Sequence, residues 1–146
     1  MLRGNHPATV DAKGRLKIPA DFLAELRKHG DEFYVTSKTG DVAHIYPMKV
    51  WQEIEERLAQ KPSQHPIKQK FLALTSYYGQ VVKLDAQGRI LIPAVLREAA
   101  QLVGEVAVLG NQSSLDVWNN SRFVQQKVRT NPWTDEDTQG LGSLGV

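Results

Sequence analysis

Three cationic side chains stand within five residues near the start of the chain: Lys13, Arg15 and Lys17. Alternate residues of an extended strand point to the same face, so this spacing predicts one cationic surface. Lysines neutralise phosphates, and a guanidinium that makes two hydrogen bonds to a guanine edge discriminates between bases by about 1–3 kcal/mol. Alternatively, Arg15 pairs with Asp11 or Asp85 and holds a turn together, a contact of little net value when exposed. We favour DNA contact by Arg15, supported by the two lysines.

This motif occurs twice in the chain. Residues 11–20 (DAKGRLKIPA) recur 74 residues later as residues 85–94 (DAQGRILIPA), and seven of the ten positions are identical. Gln87 and Leu91 take the places of the two lysines, so the second copy lacks two of the three cations. We therefore expect the second copy to be the structural partner of the first.

Two other arginines are candidate DNA contacts. Arg89 is the second copy's equivalent of Arg15, and the loss of its cationic neighbours favours an ion-pair role over base recognition. Arg3 lies near the N-terminus, where a flexible arm could reach a phosphate. Both stay in the predicted DNA-binding set.

Enzymatic and metal-binding patterns are not found. The four histidines show no paired metal-ligand spacing, and there is no cysteine to complete a site. There is no nucleophile elbow and no phosphate-binding P-loop. A glycine-rich match at residues 140–145 stands one residue from the chain end, with no helix left to receive a pyrophosphate. We therefore predict no catalytic residues, no metal, no cofactor and no small-molecule substrate.

The composition is that of a soluble globular protein. The chain has 146 residues, of which 41% are apolar and 23% are charged, and its net charge is +2. The longest apolar run, residues 90–96, is much shorter than the roughly 20 residues of a membrane-spanning helix and contains a proline. The N-terminus has no apolar core of a secretory signal. These features predict a cytoplasmic protein without a membrane partner.

Each copy of the motif predicts the same local structure. Asp-Ala-X-Gly-Arg is typical of a tight turn whose glycine adopts positive φ. A strand precedes each turn, around residues 8–10 or 81–84, and another follows at residues 16–18 or 90–92. Proline then ends the strand and leads into a helix.

The remaining pattern divides the chain into two related halves. The first half covers residues 1–60, a linking helix lies within residues 61–78, and the second half covers residues 79–130. Residues 131–146 are acidic and glycine-rich, and we predict a flexible tail there. Half-chains of this size bury too little apolar surface alone. We therefore expect the halves to pair about one pseudo-twofold axis in an intertwined α+β domain.

The repeated motif, at Asp11–Pro19 and Asp85–Pro93, resembles the swapped hairpin of SpoVT-AbrB regulators. Two copies on one chain, the second continuing through Ile90–Arg97, resemble the MraZ family over residues 1–130. The resemblance implies two tandem swapped-hairpin β-α-β halves that form one β-barrel-like domain with flanking helices. It also implies a bacterial transcriptional regulator that binds double-stranded DNA at tandem boxes upstream of its own division and cell-wall operon. A ring-shaped homo-oligomer associated with the nucleoid is implied as well.

An antitoxin-like interaction module with the same hairpin fold is the alternative. Such antitoxins use a disordered tail to bind a toxin, and the acidic residues 135–146 are compatible with that role. They usually carry one hairpin copy per chain and a longer, more apolar tail. The sequence leaves open the operator sequence, the direction of regulation, the subunit count, any effector, and whether Asp11 and Asp85 pair within a half or across the axis.

Overall fold

The computed structural model describes residues 1–146 and contains eight strands and six helices. The strands are β1 (Asn5–Val10), β2 (Arg15–Lys17), β3 (Glu32–Thr36), β4 (Ala43–Pro47), β5 (Gln80–Lys83), β6 (Arg89–Leu91), β7 (Gly104–Asn111) and β8 (Ser114–Trp118). The helices are α1 (Ala20–Arg27), α2 (Met48–Ala59), α3 (Pro66–Tyr77), α4 (Ala94–Ala99), α5 (Asn120–Phe123) and α6 (Asp135–Ser143), and α5 continues as a π-helix over Val124–Arg129. No helix is long and apolar enough to cross a membrane.

The eight strands form one antiparallel sheet in the order β5-β3-β4-β8-β7-β1-β2-β6. Four of its pairings join the two halves: β1 with β7, β2 with β6, β3 with β5, and β4 with β8. The first and last strands in this order, β5 and β6, are consecutive in the chain, so the sheet is a nearly closed barrel. The expected intertwined α+β fold is therefore confirmed.

The two copies of the motif exchange contacts about a pseudo-twofold axis. Leu16 and Ile90, which are equivalent in the repeat, lie opposite each other where β2 pairs with β6. The amide of Ile18 donates to the carbonyl of Gly88 over 3.0 Å, and the amide of Ile92 donates to the carbonyl of Gly14 over 2.9 Å. Each turn is thus held by the strand end of the other copy. The two glycines have φ of +84° and +74°, as the turn chemistry predicted.

The barrel interior holds the hydrophobic core. Inward-facing residues of β2 and β6 are fully buried, and α1 and α4 cover the barrel with Phe22, Leu26 and Leu96. The core contains residues from both halves, so neither half has a core of its own. The two halves therefore share a single hydrophobic core.

The C-terminal residues differ from the sequence expectation. The segment predicted as a flexible tail forms the helix α6 over Asp135–Ser143. A capping box starts the helix: the side chains of Thr134, at the N-cap, and of Asp137, in the first turn, each accept a hydrogen bond from the other's backbone amide. Acidic residues in the first turn also favour the helix N-terminus. Composition predicted disorder, but these local capping interactions start a helix.

Candidate nucleic-acid interface

The candidate interface is the outer face of the β2–β6 ribbon, which comprises these two strands and the turns at residues 11–14 and 85–88. Arg15 lies opposite Leu91, and Lys17 lies opposite Arg89. The residues between them are fully buried, so these four side chains point outward. Because the strands are antiparallel, the ribbon combines cations from both copies on one surface.

Arg15 is oriented by a carboxylate but keeps its terminal nitrogens free. Its Nε donates to Oδ2 of Asp11 over 2.9 Å, and its backbone amide donates to Oδ1 of the same residue over 2.9 Å. The guanidinium makes no other hydrogen bond within the chain. The ion-pair alternative weighed from the sequence is therefore present, and it leaves Nη1 and Nη2 available to a ligand.

Arg89 is more fully engaged than Arg15. Its Nε donates to Oδ2 of Asp85 over 2.9 Å, its Nη2 donates to the side-chain carbonyl of Gln87, and its Nη1 lies 3.8 Å from Oδ2 of Asp11. Each aspartate therefore pairs mainly within its own half, and Asp11 also contacts the other half's arginine. This arrangement is the ion-pair role that the sequence favoured for Arg89.

Of the two lysines, Lys17 shares the outer face with Arg15 as the spacing predicted, and Lys13 does not. Lys13 lies in the turn and is exposed, so it does not share the strand alternation of Arg15 and Lys17. Lys17 reaches across the ribbon, and its Nζ donates to the backbone carbonyl of Gln87 in the second turn. The expectation of one uniform face over residues 13, 15 and 17 is therefore wrong, because the strand begins only at Arg15.

Arg97 is a cation that the sequence reasoning missed. Its Nη1 donates to the carbonyl of Ile92 over 2.7 Å, and its guanidinium lies directly over Gly14 in the first turn. At the second turn the equivalent neighbour of Gly88 is Leu23. At the repeat offset of 74 residues, Arg97 occupies the position equivalent to Leu23. This difference between the copies was the only sequence signal for Arg97. The interface thus has five cations against two carboxylates.

Arg3 is separate from this interface and does not lie on a flexible arm. Leu2 is buried and exchanges two backbone hydrogen bonds with Gln112, of 2.7 and 3.0 Å. The carbonyl of Gly4 accepts from the amide of Gly110 over 2.8 Å. Strand β1 then spans about 20 Å before the first turn begins. The arm prediction was wrong because the N-terminus is tied to the hairpin of β7 and β8.

Both turn aspartates are held in the ionised form. The backbone amide of Arg15 and the side chain of the same residue lower the pKa of Asp11 from its ordinary value. The backbone amide of Arg89 does the same for the pKa of Asp85. Hydrogen bonds to a carboxylate stabilise its charged form, so both turns keep their ion pairs at neutral pH.

The aromatic side chains do not form a base-stacking surface on this ribbon. Trp51 and Trp118 are buried, and Trp51 stacks on Tyr34 and Phe71 at ring-centroid distances of 4.7 and 6.0 Å. The sequence-based interpretation of these aromatics as packing residues agrees with this arrangement. Any DNA contact by the ribbon therefore depends on hydrogen bonding and charge.

The chain is similar to one described protein family over nearly all of its length. Residues 1–74 and 79–142 match the family described as "MraZ protein, putative antitoxin-like". The protein named Transcriptional regulator MraZ from Acidobacterium capsulatum is 51% identical, and that from Koribacter versatilis is 47% identical, each over 100% of both chains. The protein of that name from Tolumonas auensis is 33% identical over 99% of this chain and 91% of its own.

Proposed function

The chain belongs to the MraZ family, and from this premise we propose that it is a transcriptional regulator that binds double-stranded DNA through the outer face of the β2–β6 ribbon. Its full-length relatives carry the name of transcriptional regulators. The observation that carries the proposal is the gathering of five cations from both halves on one surface, where the two lysines are exposed and the three arginines are half-buried. Such a surface is the electrostatic footprint of a DNA-binding protein, and it implies a cytoplasmic, nucleoid-associated location.

Base recognition is assigned to Arg15. Its Nε is fixed by Asp11, so the guanidinium plane is held in place while both terminal nitrogens stay free. A guanidinium in this state can make the two parallel hydrogen bonds that distinguish guanine. Arg89 lacks that freedom because Asp85, Gln87 and Asp11 surround it, and its role is to hold the second turn.

Phosphate contacts are assigned to Lys13, Lys17 and Arg97, which flank the two turns. Each neutralised phosphate changes the logarithmic salt dependence of binding by about −0.9. One subunit offers only a few such contacts, so strong binding requires several copies acting together. This supports a ring-shaped homo-oligomer that recognises tandem boxes rather than a palindrome, upstream of its own division and cell-wall operon.

The test is fluorescence anisotropy with the DNA upstream of the protein's own gene, at two salt concentrations. We expect Arg15→Ala to lose about 5- to 150-fold in affinity for the specific DNA, the equivalent of one bidentate base contact, while binding to scrambled DNA changes little. Arg89→Ala is the matched control, since it removes the equivalent guanidinium of the other copy. It should keep specific binding, and circular dichroism checks that both variants are folded.

Two results would count against the proposal. One is a wild-type protein that binds specific and scrambled DNA equally and releases both at moderate salt. The other is an equal loss of specific binding in both arginine variants, which would remove the distinction between the copies. A series of DNAs with one, two and three boxes tests the oligomer, because joint engagement predicts a steep rise in affinity with box number.

An antitoxin-like function is the second candidate, favoured by the family's printed description and by the exposed acidic C-terminal segment. It predicts a protein partner that is captured by the full chain and lost when residues 131–146 are removed. This capture of a protein partner does not depend on Arg15, whereas binding to specific DNA does. Co-purification and anisotropy together therefore separate the two functions.

A further inference from the structure

An open apolar groove lies between helices α2 and α3. Ile54, Leu58, Ile67 and Phe71 form its apolar lining, and the cavity measures about 350 Å³. Ile67 is 73% exposed, although it stands at the edge of an apolar surface. An aliphatic side chain so placed gains free energy when another surface covers it.

Both helices that form the groove are firmly held. Trp51 of α2 stacks between Tyr34 and Phe71. The carbonyl of Thr75 in α3 accepts hydrogen bonds from the hydroxyl groups of Thr36, over 2.7 Å, and of Tyr34, over 3.0 Å. The groove is therefore a preformed surface and needs no rearrangement to receive an occupant.

Helix α6 is the second half's counterpart of α3, since each follows the helix that succeeds the last strand of its half. Unlike α3, it has no packing partner, because every residue from 131 to 146 is exposed except Leu141, which is partly buried. Leu141 and Leu144 are one helical turn apart. Trp133, which precedes α6, donates from its indole nitrogen to the hydroxyl of Thr138 in that helix over 2.8 Å. Leu144 is 78% exposed and Trp133 is 67% exposed.

The two surfaces carry opposite charge. The groove is flanked by Lys61 and Lys68, and no acidic residue occurs between Arg57 and Leu84. Residues 131–146 contain three acidic residues and no lysine or arginine. All three acids lie in the first turn of α6, which follows Trp133 and precedes Leu141 by one helical turn. The segment thus matches the groove in both apolar character and charge.

We propose that the groove between α2 and α3 is the docking site for the C-terminal segment, residues 131–146, of a second copy of this chain. Within one chain the groove and the segment are both uncovered, so the segment does not fill its own groove. The contact joins helices α2 and α3 of one copy to the C-terminal segment of the next. A heterologous contact of this kind builds a ring when its rotation closes. The inference rests on the proposed function in one respect, namely that the regulator is a homo-oligomer.

Disulfide trapping tests the contact directly, because the chain has no cysteine of its own. Full-length Ile67→Cys protein is mixed with full-length, affinity-tagged Leu144→Cys protein and oxidised. We expect a mixed disulfide between the two chains, detected by non-reducing electrophoresis and mass spectrometry. Val103→Cys is the matched control, since Val103 is 79% exposed and lies outside both surfaces. A mixed yield no higher than that with the control would overturn the proposal.

A chain with both cysteines distinguishes docking between copies from docking within one copy. Disulfides that link separate chains support the proposal, and a disulfide found only within single chains overturns it. Dilution before oxidation makes the distinction sharp, because only the contact between copies depends on concentration.

Charge and apolar substitutions give an independent measurement by sedimentation velocity. We expect Ile67→Glu to reduce the assembly to smaller species, while Val103→Glu leaves its mass unchanged. Lys61→Glu should weaken assembly, and adding Glu136→Lys should restore it at least in part. A wild type that is monomeric throughout, or an Ile67→Glu protein of unchanged mass, would overturn the docking contact.

The outcome for docking is separable from the outcome for DNA binding. If the proposal holds, Ile67→Glu binds a single box as wild type does and loses the gain in affinity on DNA with several boxes. Arg15→Ala has the opposite pattern, with an intact assembly and weak binding to every box. Wild-type behaviour of Ile67→Glu on multi-box DNA overturns the docking contact and leaves Arg15-dependent recognition standing.

Discussion

Alanine substitutions at Gly14 and Gly88 test how differently the two turns are built. Both glycines have positive φ, at +84° and +74°, a backbone conformation that costs an L-residue about 1–2 kcal/mol. Backbone strain alone therefore predicts that the two substitutions destabilise the protein equally. The surrounding side chains predict otherwise.

At the first turn, a Cβ on Gly14 would lie 1.8 Å from Nη1 of Arg97, so the guanidinium must move away. That movement breaks the 2.7 Å hydrogen bond to the carbonyl of Ile92, a buried residue, and loss of such a partner costs about 1–3 kcal/mol. At the second turn, a Cβ on Gly88 would lie 3.1 Å from Cδ2 of Leu23, and a small rotation relieves that contact. We expect Gly14→Ala to reduce the free energy of unfolding by about 1–3 kcal/mol more than Gly88→Ala.

Urea unfolding followed by tryptophan fluorescence measures both variants against wild type. Arg97→Ala provides the decisive background, because without the guanidinium the extra cost of Gly14→Ala should vanish and the two glycine variants should become equal. Equal costs in the wild-type background would refute the reasoning. An extra cost that persists after Arg97→Ala would refute it as well, since the guanidinium would then not be its source.

Two further predictions concern stability. The folded-state pKa values of Asp11 and Asp85 are lowered, so their contribution is present above the ordinary aspartate pKa of about 3.9 and is lost as the pH falls through the folded values. Between about pH 5 and pH 3 we expect the wild-type Tm to fall more than the Tm of the double variant Asp11→Asn/Asp85→Asn, because the variant's amides do not titrate. An equal fall of Tm in both proteins would contradict this. Thr36→Val removes a buried hydroxyl that donates to the carbonyl of Thr75, and Tyr34 still donates to that carbonyl, so the change should cost about 0.5–1.5 kcal/mol in urea unfolding. The exposed Thr9→Val should cost much less.

The repeat made the overall fold predictable from the sequence. Two half-chains with matching turns, strands and helices could bury enough apolar surface only by pairing, and the pairing of Leu16 with Ile90 is the result. Local sequence patterns also predicted individual helices and strands. One example is the proline that immediately precedes each of α1 and α4. Both kinds of inference depend on spacing along the chain, which the sequence displays directly.

The details of the interface could not be predicted in the same way. Arg97 lies over Gly14 because a helix of the second half covers a turn of the first, a contact between residues far apart in sequence. Lys17 contacts Gln87 because the strands of the two copies run antiparallel, so a first-copy cation reaches the second-copy turn. The helix α6 was missed because its capping box at Thr134 is a local signal inside an acidic, glycine-rich segment.

Fusion of the two copies in one chain explains why the surfaces differ. Two identical chains about a twofold axis would present identical turns, each with the same neighbours. In a single chain the positions diverge independently, so Arg97 faces one turn and Leu23 faces the other. The same asymmetry leaves the terminal guanidinium nitrogens of Arg15 free, whereas the guanidinium of Arg89 is bonded to Asp85 and Gln87.

The same divergence extends to the flanking helices. Helix α3, which follows the first half, is packed and forms a groove with α2, whereas α6, which follows the second half, is left uncovered. A symmetric pair would carry two identical helices, so it could associate through them only by self-complementary contacts. Unequal ends allow a head-to-tail contact, which repeats from copy to copy and can present one Arg15 per subunit around a ring. Under the proposed function, this loss of internal symmetry would give each subunit one reading turn and would let a ring engage tandem boxes repeatedly.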